Sequence, residues 1–238
     1  MLEERIFSTH SVNEGLRSYM LRVYNYMVGG LLVSALFARV GISPTLLRLM
    51  YNVTEQGASL SLFGILLLIA PFVLVFMISS AVASFNAAKA QLLFWIFSGL
   101  MGLSFSPILL AYSNASLATT FLVTAGAFAG LSLYGYTTSK DLTGMGQFAF
   151  MGLWGIILAI IINWFVKSPS LDYAVSIIGV IIFTIFTAYD TQRIRRIYQL
   201  SPSTDATKAL SISGALTLYL DFINLFLFLL RFLGNRQR

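Results

Sequence analysis

Two carboxylates interrupt segments that are otherwise apolar. Asp190 stands in Phe186-Thr-Ala-Tyr-Asp-Thr-Gln-Arg193, and Asp221 in Leu218-Tyr-Leu-Asp-Phe-Ile-Asn224. Every other acid lies in the polar N-terminal stretch or in a predicted connection. A carboxylate in hydrocarbon costs at least a few kcal/mol, so it faces a partner inside the protein. The natural partners here are each other. Two acids sharing an apolar site do not both ionise, so such a pair holds a proton and titrates as a unit. That is the chemistry of a pH sensor. With both ionised, the same oxygens form a hard site suited to transient Ca²⁺. A structural alternative is a pair that only bolts two helices together, or an Asp190 that only pairs with Arg193 at the membrane interface.

Other chemistry is excluded by what the chain lacks. It has no cysteine, and its one histidine, His10, lies in the polar N-terminal stretch. A cysteine- or imidazole-based metal centre is therefore not expected. No Walker loop, GxGxxG, HExxH or GxSxG occurs, and a serine nucleophile would find no histidine base in the apolar segments. Tyr189-Asp190 fits the first half of an intramembrane aspartyl protease signature. The second half needs glycines before the other acid, and Asp221 follows Tyr219 and Leu220 instead. The reading is a protein that is not an enzyme and needs no resident cofactor.

The elements that must hold these acids are membrane spans. Of 238 residues, 58% are hydrophobic and 10% charged. A soluble domain is about one quarter charged and could not coat itself at this composition. A helix needs about 20 residues to cross the hydrocarbon. That ruler predicts spans at Val23–Ala38, Leu60–Ala83, Ala90–Tyr112, Leu117–Thr137, Gln147–Val166, Tyr173–Asp190 and Ala209–Leu230. Residues 1–22 read as a polar cytoplasmic tail and 23–238 as a single seven-span membrane domain. No sustained period-two alternation supports a β-barrel. Pro71 and Pro107 should kink the second and third spans and free carbonyls there. Gly126 and Gly130 form a GxxxG step. Together with Gly99, Gly102, Gly152 and Gly155, they are expected to pack helices tightly inside the bundle.

The net charge of +6 is spread over short connections, without the basic stripe of a nucleic-acid binder. It sets orientation instead. The N-terminal stretch and the second, fourth and sixth connections hold Arg5, Arg17, Arg22, Lys89, Lys140, Arg193, Arg195, Arg196 and Lys208. The other connections hold only Arg39, Arg48 and Lys167. The first group should face the cytoplasm of a cell (inner or plasma) membrane. Arg231, Arg236 and Arg238 run against this count: either the seventh span crosses and sets them outside, or it re-enters, and the length of Ala209–Leu230 favours crossing.

Four segments carry a resemblance: Gly102-Leu-Ser-Phe-Ser-Pro-Ile108, Tyr134-Gly-Tyr-Thr-Thr-Ser-Lys-Asp-Leu-Thr-Gly144, Asp190-Thr-Gln192 and Leu220-Asp-Phe-Ile223. With them the chain resembles, over nearly its whole length, bacterial members of the Bax inhibitor-one family of transmembrane proteins. The resemblance implies an all-α integral membrane fold, a seven-span bundle with the last span central. It implies a pH-sensitive Ca²⁺ leak gated by an acid pair, which carries over to Asp190 and Asp221. Relatives with an acid one turn before the second Asp have Thr217 as their counterpart here. The basic residue that some relatives carry in span two is missing from Leu60–Ala83, which leaves any closed-state lock to the acids themselves or to Arg193 as a gate partner. The expected function is a pH-sensitive calcium-permeable leak channel. The alternative is a non-transporting regulator that binds other membrane proteins, such as a membrane quality-control protease.

Overall fold

A computed structural model describes residues 2–54, 57–200 and 204–235, with side chains from Glu14 onward except at 53, 54, 57, 58 and 204. The elements run α1 (Leu2–Gly41), α2 (Pro44–Met50), β1 (Tyr51–Thr54), β2 (Gly57–Leu60), α3 (Leu62–Ala83), α4 (Ala87–Ala111), α5 (Asn114–Thr137), α6 (Thr143–Val166), α7 (Pro169–Gln199) and α8 (Thr204–Leu233). All of these helices except α2 are long and apolar enough to cross a membrane. Their outward faces fit that medium. Phe76 and Phe165 are 76% and 80% exposed, which water would penalise and lipid does not. The fold is therefore an all-α multi-pass membrane fold.

Each expected span is present, and most extend past the predicted ends. Hydropathy marks only the part of a helix that needs lipid, and the backbone goes on hydrogen-bonding beyond it. Residues 2–22, expected as a tail, continue α1 without a break. The first span is followed by a connection with structure of its own. It holds α2 and a two-stranded antiparallel hairpin in register from Tyr51↔Leu60 to Thr54↔Gly57. The chain, read as one domain, divides by internal packing into two compact units, Met1–Ala111 with Ile197–Leu216 and Tyr112–Arg196 with Thr217–Arg238. α8 contributes to both. It is enclosed by protein along its length, from Ala206 and Ala209 through Leu218 and Tyr219 to Leu230.

In the first unit α1 and α4 run parallel. Ser34 donates to the Ser98 carbonyl at 2.7 Å, and Gly102 lies so close that a Cβ would stand 2.3 Å from the Ser34 carbonyl. Each proline frees a carbonyl, as expected, but neither carbonyl is left without a donor. Pro71 removes the bond to Leu67, and the Ser104 hydroxyl of α4 donates to that carbonyl at 3.1 Å. Pro107 frees Leu103, and Ser106 donates to it at 2.7 Å. Serine thus replaces the missing amide in both cases.

In the second unit α6, α7 and the latter half of α8 enclose an apolar cluster that includes Ile156, Ile182, Phe186 and Leu225. Phe183 stacks on Phe228 at 5.7 Å, and Gly179 leaves room for the Phe228 ring. Gly152 likewise admits Ile182. The GxxxG step departs from expectation. A Cβ on Gly126, Gly130 or Gly155 would meet nothing within 4 Å, and all three positions are exposed, so they do not pack helices within this chain.

Candidate functional site

α7 and α8 lie antiparallel in the second unit. Tyr173 meets Phe232, Phe183 meets Phe228, and Asp190 meets Asp221, in reversed order along the two helices. The predicted sixth span ended at Asp190. The helix in fact runs nine residues further, to Gln199, so Asp190 is interior to it. Both acids are buried, at 7% and 6% exposure. Their carboxyl groups are close enough to share a hydrogen bond. Two carboxylates have no hydrogen to share, so that bond requires one proton on the pair. Next in the chain after Asp221, the Phe222 ring is held edge-on by Phe121 and Phe128 of α5.

The pair is not fully satisfied. Among the described residues, Asp221 Oδ2 is the one buried side-chain nitrogen or oxygen without a hydrogen-bond partner. Such an atom is costly and points to a function that keeps it. Arg193 reaches Asp190 only at 3.8 Å, one turn on, with its side chain 61% exposed. It lies at the rim of the pair rather than within it. Among the described residues no group of three or more His, Cys, Asp or Glu could hold a metal ion. Ca²⁺ takes six to eight oxygens, so two carboxylates suit a passing ion better than a resident one.

A polar latch follows Asp190 directly in α7. Gln192 accepts from the Leu142 amide at 3.0 Å and donates to the Lys140 carbonyl at 2.7 Å. Arg196 donates to Gln192 at 3.2 Å and to Asp141 at 3.1 Å, and Arg195 bonds the Tyr136 carbonyl. Thr191 meets Ser132 of α5 at 2.9 Å. Together these contacts fix the α5–α6 connection and the rotation of α7. The sequence reading missed the latch, although its two halves lie in the Tyr134–Gly144 and Asp190–Gln192 segments. Spacing alone gave no sign that residues about fifty apart would meet. The side chain of His10, and Arg236 and Arg238, lie outside the described residues.

Asp141 shows how the latch depends on pH. The Thr143 hydroxyl and amide, and then Arg196, hold its carboxyl at about 2, below the ordinary 3.8. A depressed carboxyl contributes fully above its unfolded value and loses that contribution as the pH falls toward 2. Asp141→Asn should therefore lower the Tm slightly near neutral pH, with the difference fading toward pH 2. Gln192→Ala should cost more, about 1–3 kcal/mol, because it strands the buried Leu142 amide. Thermal melts in detergent across pH check both, and equal losses for the two variants would contradict this account.

A protein-family profile described as "Inhibitor of apoptosis-promoting Bax1" matches residues 16–238. The inner membrane protein YbhL of Escherichia coli K12 is 44% identical over 94% of each chain. An uncharacterized protein of Rickettsia prowazekii is also 44% identical, over 94% of this chain and 92% of its own. A membrane protein of Streptococcus pyogenes serotype M1 is 32% identical over 99% of this chain and 100% of its own.

Proposed function

The chain belongs to the Bax inhibitor-1 family of membrane proteins, and from that premise we propose that it is a pH-sensitive, calcium-permeable leak gated by Asp190 and Asp221. The observation that carries this reading is the buried acid pair with its unpartnered Asp221 Oδ2. An element that served only to join α7 and α8 would do better with apolar side chains, which these helices already use at Phe183 and Phe228. A titratable pair keeps a proton that can leave. Once it leaves, two like charges face each other at low dielectric and the helices are pushed apart. Ca²⁺ competes for the same oxygens and would be carried as a permeant ion rather than as a resident cofactor. Arg193, at the rim, can draw charge from Asp190 when the pair opens.

The experiment is Ca²⁺ flux through the purified protein in liposomes, read against pH. Flux above that of empty liposomes that varies with pH supports the reading. Protein-independent flux favours the regulator of other membrane proteins instead.

Orientation is part of the same proposal. The nine-to-three excess of Lys and Arg, with Arg231, Arg236 and Arg238 set aside, supports an N-terminus in the cytoplasm of the inner or plasma membrane. Seven crossings then set Arg231 outside. There it pairs with Asp172 at 3.7 Å, which offsets its charge. Reporter fusions to the N-terminus and within the connection at Lys140 should both read cytoplasmic. An external reading at either point overturns the assignment.

A further inference from the structure

α1 carries a polar pocket that the acid pair does not use. It is an open cavity of about 750 Å³ in the first unit, lined chiefly by one face of α1 with Trp95 of α4 opposite. Arg17 and Arg22 bring two guanidinium groups to it, and Ser18 and Asn25 add neutral donors. Among the described residues Glu14 is the one carboxylate in the lining, so together they carry a net positive charge. Among the described residues, no ion pair engages Arg17 or Arg22. Guanidinium groups match phosphate oxygens in a two-pronged geometry, so an anion fits this lining.

The surroundings say what carries the anion. Tyr26 and Trp95 stand at the inner end of the cavity with ring centroids 5.9 Å apart, and aromatic rings of this kind mark the bilayer interface. Below the pocket the same helix face continues as Val28, Leu32 and Leu36, at four-residue steps, all exposed. α1 thus presents cations and hydroxyl groups at interfacial level and a bare apolar strip toward the hydrocarbon. That sequence of surfaces mirrors a phospholipid, with its phosphate above and its acyl chain below. A soluble anion would have no use for the strip.

We propose that this pocket binds an anionic phospholipid, its headgroup phosphate on Arg17 and Arg22 and an acyl chain along Val28, Leu32 and Leu36. The site stands on the membrane placement of the chain and is independent of whether the protein conducts.

Trp95 reports on it directly. Trp154→Phe with Trp164→Phe removes the only other tryptophans, both exposed. The protein is reconstituted in phosphatidylcholine bilayers that contain brominated phosphatidylglycerol or brominated phosphatidylcholine, and Trp95 quenching is measured. The anionic quencher should be preferred by about fivefold for each arginine engaged. Arg17→Gln with Arg22→Gln should erase the preference and leave quenching by phosphatidylcholine in place. Equal quenching by the two lipids with the arginines intact overturns the proposal, and that comparison needs no arginine variant to fold. A preference that survives the double substitution also overturns it. So does loss of the preference on adding excess inorganic phosphate, since the pocket would then hold a free anion.

Discussion

Asp190→Asn and Asp221→Asn should each flatten the pH dependence of Ca²⁺ flux in liposomes, and flatten it at a low level. The bond between these side chains needs a hydrogen that the wild-type pair holds only while it keeps its proton. An asparagine amide supplies that hydrogen at every pH. The closed contact then becomes permanent and nothing titrates. Alanine at either position should flatten the profile as well, but at a higher flux, because it removes the contact altogether. A tenfold change in the conducting population needs only about 1.4 kcal/mol, well within what one charge at low dielectric supplies. The Asp190→Asn and Asp221→Asn double variant should differ little from the singles, since neighbours that act as one unit are not additive. If both single asparagine variants stay folded and keep the wild-type pH profile, the pair is structural. The regulator reading then becomes the better one.

The acids were legible in the sequence because lipid makes an isolated carboxylate expensive, so their two positions stood out at once. The spans were legible for the same reason: apolar runs of about twenty residues have few uses outside a bilayer. What sequence hid was everything decided by contacts across the fold. The end of α7 is an example. Arg193, Arg195 and Arg196 looked like a connection, yet the helix runs through them to Gln199, and the end of α5 with the α5–α6 connection takes up the donors of Gln192, Arg195 and Arg196. The serines that replace the proline amides were equally hidden. Ser104 sits 37 residues from the carbonyl it satisfies. Small residues were the most ambiguous signal. Gly102 and Gly126 look alike in an apolar run, but one is pressed against the Ser34 backbone and the other faces outward with nothing near it.

That ambiguity yields the second large effect, on Gly135. A Cβ there would stand 2.1 Å from the Ala188 carbonyl oxygen and 2.9 Å from its carbon. These are backbone atoms, so no side chain can swing aside, and α5 must move away from α7. The Ser132–Thr191 hydroxyl contact lies one turn along on both helices, and Asp190 is two residues from Ala188. Gly135→Ala should therefore cost about 1–3 kcal/mol through overpacking, and Gly135→Val more. Gly130→Ala, in the same helix, is the control. Its Cβ meets nothing, and alanine is the better helix former by about 1 kcal/mol, so stability should hold or rise. Thermal melts of the two alanine variants in one detergent compare them directly. Equal Tm values would mean that the α5–α7 approach is looser than its geometry. If the Asp190–Asp221 contact sets the gate, Gly135→Ala should also shift the pH profile of Ca²⁺ flux while touching neither carboxyl. Gly130→Ala should leave that profile where it is, because nothing connects its methyl group to α7.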